Sequence, residues 1–95
     1  MRSRKPWRSP TYLRWIRTLP CAGCGMGQSE AHHPIACGLG GTMGGKASDV
    51  LAIPLCRVCH RELHAGVAEW EAGHGGQLVH AARTVDRATR EGVIG

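Results

Sequence analysis

The stretch "LCRVCHRELH", Leu55–His64, sets a CxxC pair, Cys56 and Cys59, directly against a histidine and puts a second histidine four residues on. Upstream, "CAGC", Cys21–Cys24, supplies another CxxC, and "EAHHP", Glu30–Pro34, holds a histidine pair. Four thiolates in two knuckles complete a tetrahedral zinc shell and leave no open position for chemistry. Cys21, Cys24, Cys56 and Cys59 are therefore expected to bind one structural Zn2+. The 31 residues between Cys24 and Cys56 are more than a plain zinc ribbon needs, so something is inserted. Cys37 is left over and takes no role. The four histidines, His32, His33, His60 and His64, call for a second explanation.

Composition supports a metal staple. Ninety-five residues with 14 glycines, no phenylalanine and 4% aromatics can bury only a thin core, and chains of this size commonly need disulfides or a metal. An odd number of cysteines in CxxC spacing, beside six histidines, favours metal in a reducing compartment, here the cytoplasm. The basic start lacks the apolar run of a signal peptide. The longest apolar run, "VLAIPL" (Val50–Leu55), is too short to cross a bilayer, so no membrane partner is expected.

Charge is unevenly spread. The net charge is +5, yet Arg2, Arg4, Lys5, Arg8, Arg14 and Arg17 precede Pro20 with no acid among them, while the rest of the chain nets −1. A polyanion such as DNA suits that end, with a solvated tail kept for solubility as the alternative. Residues 1–8 read as a basic, mobile tail, and residues 9–95 as one domain.

The elements follow from local signals. In "SPTYLRWIRTLP" Ser9 suits an N-cap, Pro10 the first helical position and Pro20 a stop. Tyr12, Trp15, Ile16 and Leu19 recur on one apolar face. Residues 25–48 should be loop with short strands at most, and Lys46, followed by Ala, does not complete a phosphate loop. "DVLAIPLC" suits a strand. From Arg57 the pattern is helical, with Leu63, Val67 and Trp70 on one face and a break expected at Gly66. A last helix should bury Leu78, Ala81, Ala82, Val85 and Ala88 and end at Gly92. His74 and His80 fit no ligand spacing and read as surface residues.

His60 and His64 at i, i+4 on a helix can grip one cation, and the knuckle fixes the start of that helix. Neighbouring residues on a strand point to opposite faces, so one of His32 and His33 can be a ligand and the other free to take a proton.

"CAGC", "AHHP" and "SDVLAIPLCRVCHRELH" together resemble the HNH (ββα-metal) endonuclease family in its zinc-knuckle variant. Within it they are most similar to the RecA-dependent recombination-enhancement nucleases of phages and prophages. The similarity runs from Tyr12 through the final helix. It implies a small α+β fold, a ββα-metal motif on a four-cysteine zinc-knuckle scaffold with flanking helices. It further implies a metal-dependent DNA endonuclease releasing 5′-phosphate and 3′-hydroxyl ends. His33 would be the general base; His32, His60 and His64 would hold a catalytic divalent cation, Mg2+, Mn2+ or Zn2+. The family's middle asparagine has no match; Asp49 stands nearest and could accept a proton from an imidazole. Arg2, Arg4, Lys5, Arg8, Arg14, Arg17 and Lys46 could hold the DNA backbone, and a RecA filament is a further candidate partner. The rival reading is a non-catalytic zinc ribbon that binds DNA or protein.

Overall fold

The structure, a computed structural model, describes residues 6–37 and 47–94. Arg2, Arg4, Lys5 and Lys46 lie outside the described residues, as does the centre of the glycine-rich segment. Within them the protein is α+β, with four α-helices and one two-stranded sheet.

Helix α1 (Pro10–Ile16) starts as its residues predict: Ser9 Oγ accepts the Tyr12 amide at 3.1 Å, with Pro10 in the first turn. Tyr12 and Ile16 are buried on the expected face, and Leu19 follows in the turn beyond the helix. Trp15 sits half-buried at the edge of that face, its indole N–H donating to Glu91 at 3.3 Å. Trp7 and Arg8, at the end of the stretch read as a basic tail, make contacts with the rest of the domain. The Trp7 ring lies 5.6 Å from that of Tyr12, its amide donates to Ser48 Oγ at 3.0 Å, and its carbonyl accepts the Asp49 amide at 2.8 Å. Trp7 is nonetheless 43% exposed, an indole packed on Tyr12 at the surface and not in the core.

Strands β1 (Glu30–His32) and β2 (Ile53–Leu55) pair antiparallel in the register Glu30 to Leu55, Ala31 to Pro54 and His32 to Ile53. A 3-10 turn, Asp49–Leu51, leads into β2. Pro54 has no amide for the ladder; its carbonyl instead accepts the Ala22 amide at 2.8 Å, tying the first knuckle to the sheet.

Cys56 caps α2 (Arg57–Ala65), its sulfur accepting the Cys59 amide. The expected break falls at Gly66, after which α3 (Val67–His74) continues. Leu63 and Trp70 are buried and Val67 packs against them. Gly75 then adopts φ +94, a conformation that favours glycine, and turns the chain into α4 (Gln77–Arg90). Gly92, at φ +75, closes that helix, and Val93 N–H donates back to Ala88 O at 2.8 Å.

Two expectations about this end of the chain are overturned. Helix α4 buries Gln77, His80, Ala81, Thr84 and Ala88, whereas Leu78 and Ala82 are exposed and Val85 is half-buried. Polar residues hold that face because each finds a partner inside; Thr84 Oγ1, for example, donates to His80 O at 2.8 Å. Nor are His74 and His80 surface residues. His74 is half-buried and stacks on Trp70 with centroids 4.5 Å apart. His80 is buried, and its Nε2 lies 2.7 Å from the His74 carbonyl, closing the α3–α4 corner.

Two apolar clusters result. One joins Cys21, Ile53, Leu55, Cys59, Leu63, Trp70 and Ala81, and the other Tyr12, Ile16, Ala52 and Ala88. No helix among the described residues is long and apolar enough to cross a membrane.

Candidate functional site

The four knuckle cysteines converge. One sulfur comes from each of Cys21, Cys24, Cys56 and Cys59, and all four lie within 4.8 Å of one another, with Cys24 and Cys56 3.6 Å apart. None forms a disulfide. Amides of Gly23 and Cys24 point at the Cys21 sulfur, at 3.3 and 3.5 Å, as thiolate-stabilising donors. Burial opposes the Cys21 thiolate, but backbone donors at Cys56, Cys24 and Gly23 outweigh it and bring the thiol down to about 6. Burial together with the crowding of three neighbouring sulfurs pushes Cys59 up. Such a donor set fits zinc, whose charge relieves that crowding. Cys37 stands outside this group.

The backbone accommodates the knuckle only through a glycine. A Cβ on Gly23 would lie 2.9 Å from Cys59 Sγ and 3.0 Å from Trp70 Cζ2.

A second group lies on the other side of α2. His32, at the end of β1, meets His60 and His64 from the helix, with ring centroids 4.9, 5.4 and 5.0 Å apart pairwise. One ligand atom of each lies within 4.8 Å of the others. Burial pushes the His32 imidazole down to about 4, so it is neutral near pH 7, the state in which imidazole binds a metal. Its Nε2 contacts Gln77 Oε1 at 2.8 Å. His60 Nδ1 meets Glu30 Oε1 at 2.8 Å, and that bond to His60 is the chief reason the Glu30 carboxyl lies below its ordinary range. Three imidazoles grouped this closely could hold a borderline-soft divalent ion. A cleft of about 490 Å³ opens beside them, lined by Glu30, Arg57, His60, Arg61 and His64.

His33, the first residue past β1, diverges from its neighbour. Its Nε2 lies 2.7 Å from Asp49 Oδ1. Asp49 is buried, and burial opposes its charge. The bonds from His33, the Ser9 amide (2.7 Å) and Arg8 (3.1 Å) outweigh that and hold the carboxyl below its ordinary value. Arg8 also donates to Ala47 O at 2.6 Å. A second cleft, of about 380 Å³, is lined by Arg8, Pro10, Leu13, Arg14, Arg17, His33 and Asp49. The three described basic residues expected to hold DNA thus share one cleft with the expected base.

Sequence reasoning missed Glu30, Gln77, Arg57 and Arg61. Glu30 could have been found, since alternation puts it on the same face of β1 as His32. Arg57 and Arg61 share the i, i+4 spacing of His60 and His64, which also was available. Nothing local marks Gln77, which lies 45 residues from its partner His32.

Residues 2–92 match the family described as a protein of unknown function, DUF968. The chain belongs to the DUF968 family. It is 45% identical over 91 residues to an uncharacterized protein, YdfU, of Escherichia coli strain K12. The match covers 96% of this chain and 26% of YdfU, so the chain spans about a quarter of that relative's length. No solved structure matches.

Proposed function

We propose that this DUF968 domain is a metal-dependent DNA endonuclease of the HNH (ββα-metal) type, with one structural zinc and one catalytic divalent cation. The observation that carries this reading is the division of the His32–His33 pair. His32 turns into an imidazole cluster, and His33 turns toward a buried carboxylate beside an arginine-lined cleft.

The charged Asp49 accepts from His33 Nε2–H, which leaves the lone pair of His33 Nδ1 free to take a proton from water. Asp49 also steadies the imidazolium that results, as buried carboxylates do in other histidine-based sites. Arg14 and Arg17 on one side, and Arg57 and Arg61 on the other, carry the charge needed to hold phosphates without reading bases. A divalent ion on His32, His60 and His64 would polarise the phosphodiester and stabilise the departing 3′ oxygen. The water oxygen would bond to phosphorus as the P–O3′ bond breaks, and the 3′ oxygen would take a proton from solvent, giving a 5′-phosphate and a 3′-hydroxyl. The RecA dependence of the nucleases that the sequence resembles makes a RecA filament on DNA the second substrate to try, with the bacterial cytoplasm as the place of action.

The test is nicking of supercoiled plasmid in Mg2+, Mn2+ or Zn2+, with and without RecA and ATP, by the parent and by His33→Ala. The parent should nick one of these substrates. The variant should lose at least about 10²-fold in rate while binding DNA equally. Equal cutting by both ends the assignment of His33. Binding without cutting on either substrate turns the reading to a zinc-ribbon DNA-binding module.

A further inference from the structure

The imidazole cluster contains a buried atom that no group among the described residues satisfies. His32 is 1% exposed, and its Nδ1 is enclosed without a hydrogen-bond partner, while Nε2 is bonded to Gln77. Which ring nitrogen bears the proton follows from Gln77, which is itself fully buried. Its carboxamide fits only one way round. Oε1 accepts the Ile35 amide at 3.0 Å, and Nε2 donates to Ile35 O at 2.8 Å and toward Glu71 Oε2 at 3.3 Å. Glu71 Oε2 also accepts the backbone amide of Gln77 at 2.8 Å, anchoring the start of α4.

Turned over, the amide would set its NH2 against a backbone N–H and its oxygen against a carbonyl and a carboxylate. Gln77 Oε1 is therefore an acceptor, so His32 must donate from Nε2. The lone pair is left on Nδ1.

We propose that Gln77 is a positioning residue of the cation site, fixing His32 in the tautomer that binds through Nδ1. This rests on the reading that His32, His60 and His64 hold a divalent cation. Glu30 plays the complementary part: by accepting from His60 Nδ1–H it leaves His60 to bind through Nε2. The shell then uses different nitrogens of its strand-borne and helix-borne rings. That lets a ring from β1 and a ring from α2 reach one point although their backbones approach from different directions. A lone-pair nitrogen shut away from water and from every donor among the described residues is the state expected of a ligand atom awaiting its ion.

The test uses protein carrying one equivalent of zinc on its cysteines. A long-range proton–nitrogen NMR spectrum of the parent reads the tautomer directly, with no variant needed: His32 should be protonated at Nε2 and bare at Nδ1. Titration calorimetry with Zn2+ then measures the second equivalent. Gln77→Met, similar in size and without an acceptor, should weaken it by about 10- to 100-fold while retaining the first equivalent. In that variant His32 should populate both tautomers. A parent His32 protonated at Nδ1 overturns the proposal, as does a second equivalent bound within twofold of the parent by Gln77→Met. A parent that takes up no second equivalent defeats the cation reading itself, and the role of Gln77 with it.

Discussion

Asp49 gathers three donors, His33, the Ser9 amide and Arg8, at one end of a short 3-10 turn. Its depressed carboxyl pKa has a definite sign for stability. The contribution is complete above the unfolded value, ordinarily 3.8, and is lost as pH falls through the lower folded value. Thermal melts from pH 5 to pH 2 should therefore show the parent losing stability at the acid end. Asp49→Asn should be less stable at pH 5 and flatter toward pH 2; parallel curves would contradict the account. At this scale the sequence yields much. Alternation along an extended chain predicts that His32 and His33 point apart, and "ASDV" offers Asp49 as a proton acceptor. Gln77 stays hidden because its meaning depends on a contact across the fold, and a glutamine opening a helix looks like any surface glutamine.

Among the elements, the knuckle and the last helix show opposite limits. The two CxxC pairs, the proline at the start of α1 and the glycines at 66 and 92 fix ends and turns through backbone chemistry, so those positions could be read directly. Helix α4 is recognisable as a helix, but its rotation differs from the one its apolar stripe predicts. Its apolar stripe and its polar stripe have the same period, and only partners inside the molecule decide which faces inward. The first knuckle makes its own demand. Gly23→Ala sets a methyl against Cys59 Sγ and the Trp70 ring, and overpacking of this kind costs about 1–3 kcal/mol. A lower urea midpoint and faster zinc release to a chromogenic chelator are expected. Gly27→Ala, which meets nothing within 4 Å, should leave both unchanged.

For the molecule as a whole, two small clusters share the work of folding, and one of them is built around Cys21 and Cys59. A core of this size leans on the energy of metal ligation. Stripping the zinc with a strong chelator should abolish most helical circular dichroism, and adding Zn2+ back should restore it. A helical signal indifferent to chelation would mean that the sulfurs are not the staple. The small α+β class follows from the family resemblance, and the expectation of a metal staple from length, glycine content and cysteine spacing. The attachment of Trp7 and Arg8 does not, because charge alone cannot announce that a tail residue will find a buried carboxylate.

Cys59 and His60 are consecutive residues of one helix and belong to different ion pockets. Ions held in those pockets would accordingly be coupled, and the coupling is reciprocal in free energy. If the sulfurs let go, the turn that presents His60 loses its anchor and the imidazole pocket goes with it. An ion held by the imidazoles would in turn steady the sulfur side. If the proposed activity holds, a cell short of zinc would lose it together with the scaffold, whichever ion the imidazoles take.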